Sequence, residues 1–184
     1  GGLFFHPRSL LRRTFIRGIY VRFAYAGYRV KEICVNAVRI RKKRERYIMD
    51  LKTYIHGPEQ GDKPEQLVIL LHGLGANGQD LIGLAPYFAK TLPNAVFVSP
   101  DAPQPCDMAP VGYQWFSLRE WTPESILAGV KAAAPGLIGF IQEQLEKYDL
   151  SYDKLILVGF SQGTMMSLYV GPLLEKEIGG VRGY

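Results

Sequence analysis

Three runs of consecutive apolar residues stand out along the chain: residues 67–71 (Leu-Val-Ile-Leu-Leu), 95–98 (Ala-Val-Phe-Val) and 155–158 (Leu-Ile-Leu-Val). Unbroken runs of this length, rather than alternating ones, mark strands buried on both faces. The stretches between them carry apolar residues at helical spacing. A helix is predicted over 79–92, with Leu81, Leu84, Ala85 and Phe88 on one face. A second covers 126–148, with Pro135-Gly136 as a kink or break, and a third runs from Thr164 to about Lys176. Residues 180–184 read as the opening of a further strand. Residues 56–66 are a loop rich in Gly and Pro, and residues 99–123 form a long Pro-rich loop of the kind that usually serves function. Strands alternating with helices predict an α/β fold, a mostly parallel sheet with helices on both faces.

This regular pattern is confined to residues 49–184. Residues 1–48 hold no helical or strand period for long, yet they are rich in aromatics and hold 13 Lys/Arg against two acidic residues. The rest of the chain has 9 basic and 15 acidic residues, so the overall charge of +5 averages two opposite parts. An Arg-rich, acid-poor leader admits several readings: a transit peptide, an arm for RNA or anionic lipid, an irregular extension, or non-native sequence with Met49 as the true start. No nucleic-acid role is expected for 49–184. The chain has no long uncharged apolar run, and charged residues interrupt the apolar stretches of the leader, so no transmembrane segment is expected. Cys34 and Cys106 cannot build a disulfide framework and suit a reducing compartment, the cytoplasm. His6, His56 and His72 are scattered, with no metal-ligand spacing.

Chemistry enters where the third strand ends. Gly159-Phe160-Ser161-Gln162-Gly163 fits G-x-S-x-G, and it stands in the context that gives the motif meaning, with a strand before and a helix after. Ser161, the candidate nucleophile, is expected on a sharp turn that lifts its hydroxyl clear of the sheet, with Gly159 and Gly163 relieving the crowding. The following helix start supplies free N–H groups and a positive dipole end. A glycine-lined turn with a capping serine is the bland alternative. His72-Gly73-Leu74-Gly75 follows the first buried strand, the place for a second oxyanion donor, here the backbone N–H of Leu74. His72 is read as a structural histidine rather than a base. Gly75-Ala76-Asn77-Gly78 lacks the Lys-Ser/Thr of a phosphate loop.

Residues 70–78 (Leu-Leu-His-Gly-Leu-Gly-Ala-Asn-Gly), 114–117 (Gln-Trp-Phe-Ser) and 159–166 (Gly-Phe-Ser-Gln-Gly-Thr-Met-Met) together resemble the phospholipase/carboxylesterase family. This is the group of small α/β-hydrolases that includes acyl-protein thioesterases. The resemblance covers 49–184. It implies an α/β-hydrolase fold and an esterase acting on a small acyl ester or thioester substrate, with no cofactor and no metal. It also implies Ser161 as nucleophile and the N–H groups of Leu74 and Gln162 as the oxyanion hole. Trp115 and Phe116 would border the acyl pocket, though core packing accounts for them almost as well. A homodimer is compatible with the sequence, which leaves oligomeric state open.

One departure qualifies this reading. The triad order in such hydrolases is Ser, Asp or Glu, then His, yet no histidine follows Ser161. Glu175 and Glu177 are expected at the far end of the helix that starts at the nucleophile, too distant to orient a base. The expectation is therefore a hydrolase domain whose triad Asp and His lie beyond Tyr184. The alternative is an inactive binding module of the same fold.

Overall fold

The computed structural model describes the two short strands at 15–16 and 19–20, residues 50–58 and residues 63–184. The remainder of the Arg-rich leader, with His6, Cys34, the basic run and Met49, and residues 59–62 of the first loop lie outside the described residues. The chain divides into two units, Gly1–Arg39 and Ile40–Tyr184. In the first, β1 (Phe15–Ile16) pairs antiparallel with β2 (Ile19–Tyr20).

The second unit is built on a five-stranded sheet. Its strands are β3 (Thr53–His56), β4 (Gln66–Leu71), β5 (Ala95–Pro100), β8 (Leu155–Gly159) and β9 (Gly180–Gly183), in the order β3-β5-β4-β8-β9. All pairs are parallel except β3 with β5. The three apolar runs are the three central strands, as their unbroken hydrophobicity predicts. Leu67, Ile69 and Leu71 face one core cluster with the long helix, while Val68, Leu70 and Phe97 face a second with the short helices. A core on each face requires strands apolar at every position.

Three helical expectations change. The helix predicted over 79–92 is two short ones, α1 (Gly78–Ile82) and α2 (Ala85–Ala89). Gly83 and Pro86 explain the interruption, because proline lacks the N–H that would bond back into α1 and suits a helix start instead. The second helix, α3 (Pro123–Tyr148), starts earlier than expected behind a Thr122/Ser125 capping box and runs on through Pro135 without a break. Pro135 sits on its exposed side, where water can satisfy the carbonyl left unpaired. The third, α4 (Gln162–Val170), stops before Gly171-Pro172, which form a 3₁₀ turn. Glu175 and Glu177 therefore lie past the helix and not on its last turn. Unforeseen strands in this unit are β3, which claims His56 from the expected loop, and the two of a small hairpin inside the long loop, β6 (Gln104–Pro105) with β7 (Tyr113–Gln114); β1 and β2 were unforeseen as well.

Among the described residues α3 alone has the length and apolarity of a membrane-spanning helix, with a mean hydropathy of 1.4. Its Val130, Leu137, Phe140, Ile141 and Leu145 are buried in the larger core cluster.

Candidate active site

β4 and β8 lie side by side and end together, with Leu71 opposite Gly159. The two motifs therefore leave the sheet at neighbouring points on its carboxyl edge. Phe160 N–H donates to Leu71 O at 3.0 Å and continues the pairing one step past the strand. The chain then turns sharply. Ser161 has φ 50° and ψ −113°, a backbone conformation that residues with a side chain rarely adopt. Nearby bonds hold it there. Its N–H donates to Tyr184 O at 2.9 Å, and Thr164 Oγ1 donates to Gly159 O at 2.8 Å. The result is a solvent-exposed Ser161 at the mouth of α4.

The flanking glycines are there for close approach. A Cβ on Gly163 would collide with the carbonyls of Leu71 and His72, and one on Gly159 with the backbone of Gly163 and Thr164. Gly73 shows that the two motifs face each other, since a Cβ there would lie 3.3 Å from Ser161 Cβ.

The turn that carries Leu74 is stitched to β7. Gly75 N–H donates to Tyr113 O at 2.9 Å and Tyr113 N–H donates to Ala76 O at 2.8 Å. Gly75 itself has φ 77°, and Gly112, at φ 83°, packs directly on its carbonyl. Among the described residues, no backbone bond outside helix and strand ladders engages the N–H of Leu74 or of Gln162. Gln162 is the first residue of α4, where N–H groups have no partner within the helix.

His72 is fully buried. Its Nδ1 lies 2.7 Å from Gly73 O and its Nε2 lies 2.9 Å from Ala102 N. Since Ala102 can only donate, the imidazole is the neutral tautomer with the proton on Nδ1. Burial pushes its pKa below the ordinary 6.5, against a weaker upward pull from the Gly73 carbonyl and Asp101. With both nitrogens engaged, it has no free lone pair for Ser161.

Trp115 and Phe116 are 1% and 4% exposed and belong to the larger core cluster, with Phe116 packed against Gly129 of α3. Beyond them Ser117 donates to Asp107 Oδ2 at 2.6 Å and Arg119 pairs with the same oxygen, which ties down the end of this loop. The Ser117 hydroxyl holds the Asp107 carboxyl below the usual range. The most visible role missed by the sequence is the side chain of Gln162, which is completely buried and bonded to Trp115 N and Phe116 O. A polar residue on the buried side of a helix start was the available signal.

Among the described residues, no group of three His, Cys, Asp or Glu side chains could hold a metal ion. A shallow polar cleft of about 360 Å³, lined by Lys63, Glu65 and Asp149 among others, sits at the opposite, amino end of β4, away from Ser161.

Comparisons with known proteins point to one family. The sequence model of the phospholipase/carboxylesterase family matches residues 56–184. The chain is 34% identical over 108 residues to esterase YpfH of Escherichia coli, covering 58% of this chain and 46% of that protein. It is 32% identical over 125 residues to acyl-protein thioesterase 1 of Debaryomyces hansenii, covering 62% of this chain and 54% of that protein. Among solved structures, esterase PE8 superposes with a TM-score of 0.68 at 36% identity, over 72% of this chain and 62% of that one. The chain thus spans about half the length of the curated relatives it matches.

Proposed function

The chain belongs to the phospholipase/carboxylesterase family, and on that premise we propose that it carries the nucleophile and oxyanion hole of a serine hydrolase cleaving carboxylic ester or thioester bonds. The observation that carries the reading is the strained Ser161 at the start of α4, with the Gly73 turn pressed against it. A serine held at φ 50° is costly in a merely structural turn, and the cost makes sense where a hydroxyl must be presented to a substrate.

The chemistry follows from the placement. Ser161 Oγ attacks the acyl carbonyl, and the carbonyl oxygen becomes an oxyanion. The N–H groups of Leu74 and Gln162 donate to it, assisted by the positive end of α4. Collapse expels the alcohol or thiol and leaves an acyl-Ser161 ester, which water then hydrolyses. Both steps need a base that relays the serine proton. Both ring nitrogens of His72 are engaged, so His72 does not serve as that base. Trp115 and Phe116 are buried core side chains tied to His72 and Gln162, which supports a packing role for them rather than a pocket-lining one. The small number of cysteines, with Cys106 a free thiol, supports a reducing compartment such as the cytoplasm.

The test is hydrolysis of p-nitrophenyl acyl esters and acyl thioesters by the complete gene product. Ser161→Ala is expected to lower kcat by about 10³-fold or more. Unchanged turnover in that variant would overturn the proposal.

A further inference from the structure

The two donors of the proposed oxyanion hole sit on different elements. Leu74 belongs to the turn after β4, and Gln162 opens α4. For both to reach one oxygen, their separation must hold to within about 0.5 Å. The strand ladder cannot ensure this, because it ends at Leu71 and Gly159, with one further backbone bond from Phe160. Past that point the direct side-chain link runs through Trp115. Its indole Nε1–H donates to His72 O at 3.0 Å, at the root of the Leu74 turn. Its backbone N–H donates to Gln162 Oε1 at 2.9 Å, while Gln162 Nε2 donates to Phe116 O at 2.7 Å. On the far side of the turn, the His72 ring bridges Gly73 O and Ala102 N. His72, Trp115 and Gln162 are at most 1% exposed, so water does not compete for these bonds.

Packing alone does not call for this arrangement. A glutamine at a fully buried helix start carries a desolvation cost that leucine or methionine would avoid at similar volume. Both of its polar atoms are spent on the loop that holds Trp115, and Trp115 spends its own N–H on the opposite turn. We propose that the Gln162 side chain and the Trp115 indole form a brace that fixes the spacing of the two oxyanion donors. They are then positioning residues for acyl transfer, acting through the backbone of Leu74 and Gln162. This rests on the serine-hydrolase reading of the site.

Two variants of the complete gene product test it. Gln162→Met keeps the length and removes both polar atoms, and Trp115→Phe keeps an aromatic ring and removes the indole donor. Loss of an oxyanion donor costs about 10²–10³ in kcat, so displacing one is expected to lower kcat about 10- to 100-fold. KM stays within about twofold, because the ground-state carbonyl makes little use of the hole. Affinity for a trifluoromethyl ketone, whose serine adduct places an oxyanion between the same donors, falls in parallel with kcat/KM. Since either change cuts the same brace, the double variant falls little below the worse single one. The brace is overturned if kcat stays near wild type in both variants, if KM alone rises, or if the two losses multiply. Should a thermal melt show that Gln162→Met does not fold, Trp115→Phe decides on the same readouts. A wild-type protein that hydrolyses no ester, with Ser161→Ala changing nothing, overturns the reading of the site itself. An active wild type with unaffected brace variants overturns only the brace.

Discussion

Ser161 pays for its position with backbone strain, and that strain is separable from its chemistry. At φ 50° and ψ −113° a glycine is comfortable and any residue with a Cβ is not. Ser161→Gly is therefore expected to raise stability by up to about 1 kcal/mol while abolishing hydrolysis, whereas Ser161→Ala keeps the strain and the stability. Urea melts of the two variants decide this; equal midpoints would contradict it. His72 makes a second prediction. Burial lowers its folded pKa beneath the ordinary 6.5, so the unfolded chain binds the proton more readily. The stability contributed by the neutral ring is complete above about pH 6.5 and is lost as pH falls from there toward the folded pKa. Protonation would also break the bond to Ala102 N–H. Melting temperature is expected to decline from pH 7 to pH 5, and His72→Gln should flatten that decline.

Among the elements, α3 shows local propensity yielding to packing. Gly129 weakens the helix, and alanine there would gain up to about 1 kcal/mol from propensity alone. A Cβ at that position would, however, meet Phe116 Cγ at 2.7 Å. Gly129→Ala is thus expected to destabilise by about 1–3 kcal/mol net, read from thermal or urea unfolding, by pushing the Trp115–Phe116 loop off the helix. The same contrast explains what was legible in the sequence. The three central strands were plain because burial on two faces leaves an unbroken apolar run. The Ser161 turn was plain because only certain residues tolerate its crowding, and the matching turn at Gly73 because it too is glycine-dependent. Strand β3 was hidden: it lies at the sheet edge, half-buried, and spells Thr-Tyr-Ile-His with no clear period. The hairpin of β6 and β7 was hidden because two-residue strands leave no periodic trace. The split between α1 and α2 was readable in Pro86, yet the apolar spacing across it masked the break. The role of Gln162 showed only as a polar residue at a helix start, since its partners lie 46 and 47 positions away in the chain.

At the scale of the whole chain, the charge of +5 describes no single surface. Residues 1–48 are strongly basic and the remainder is net acidic, so a protein beginning at Met49 is expected to focus below neutrality, against a sequence pI of about 9.2 for all 184 residues. Isoelectric focusing of the two forms reads this directly, and a shared basic position would refute it. The cross-chain bonds around Trp115 also carry a statement about time. His72 leaves the ribosome 43 residues before Trp115, and Trp115 leaves 47 residues before Gln162. At cellular rates of elongation each interval lasts roughly two to ten seconds. Over the 90 residues from His72 to Gln162 the growing chain therefore holds one wall of the proposed site with nothing opposite it. The spacing of the two proposed oxyanion donors can be set only when the last-made of the three meets the other two.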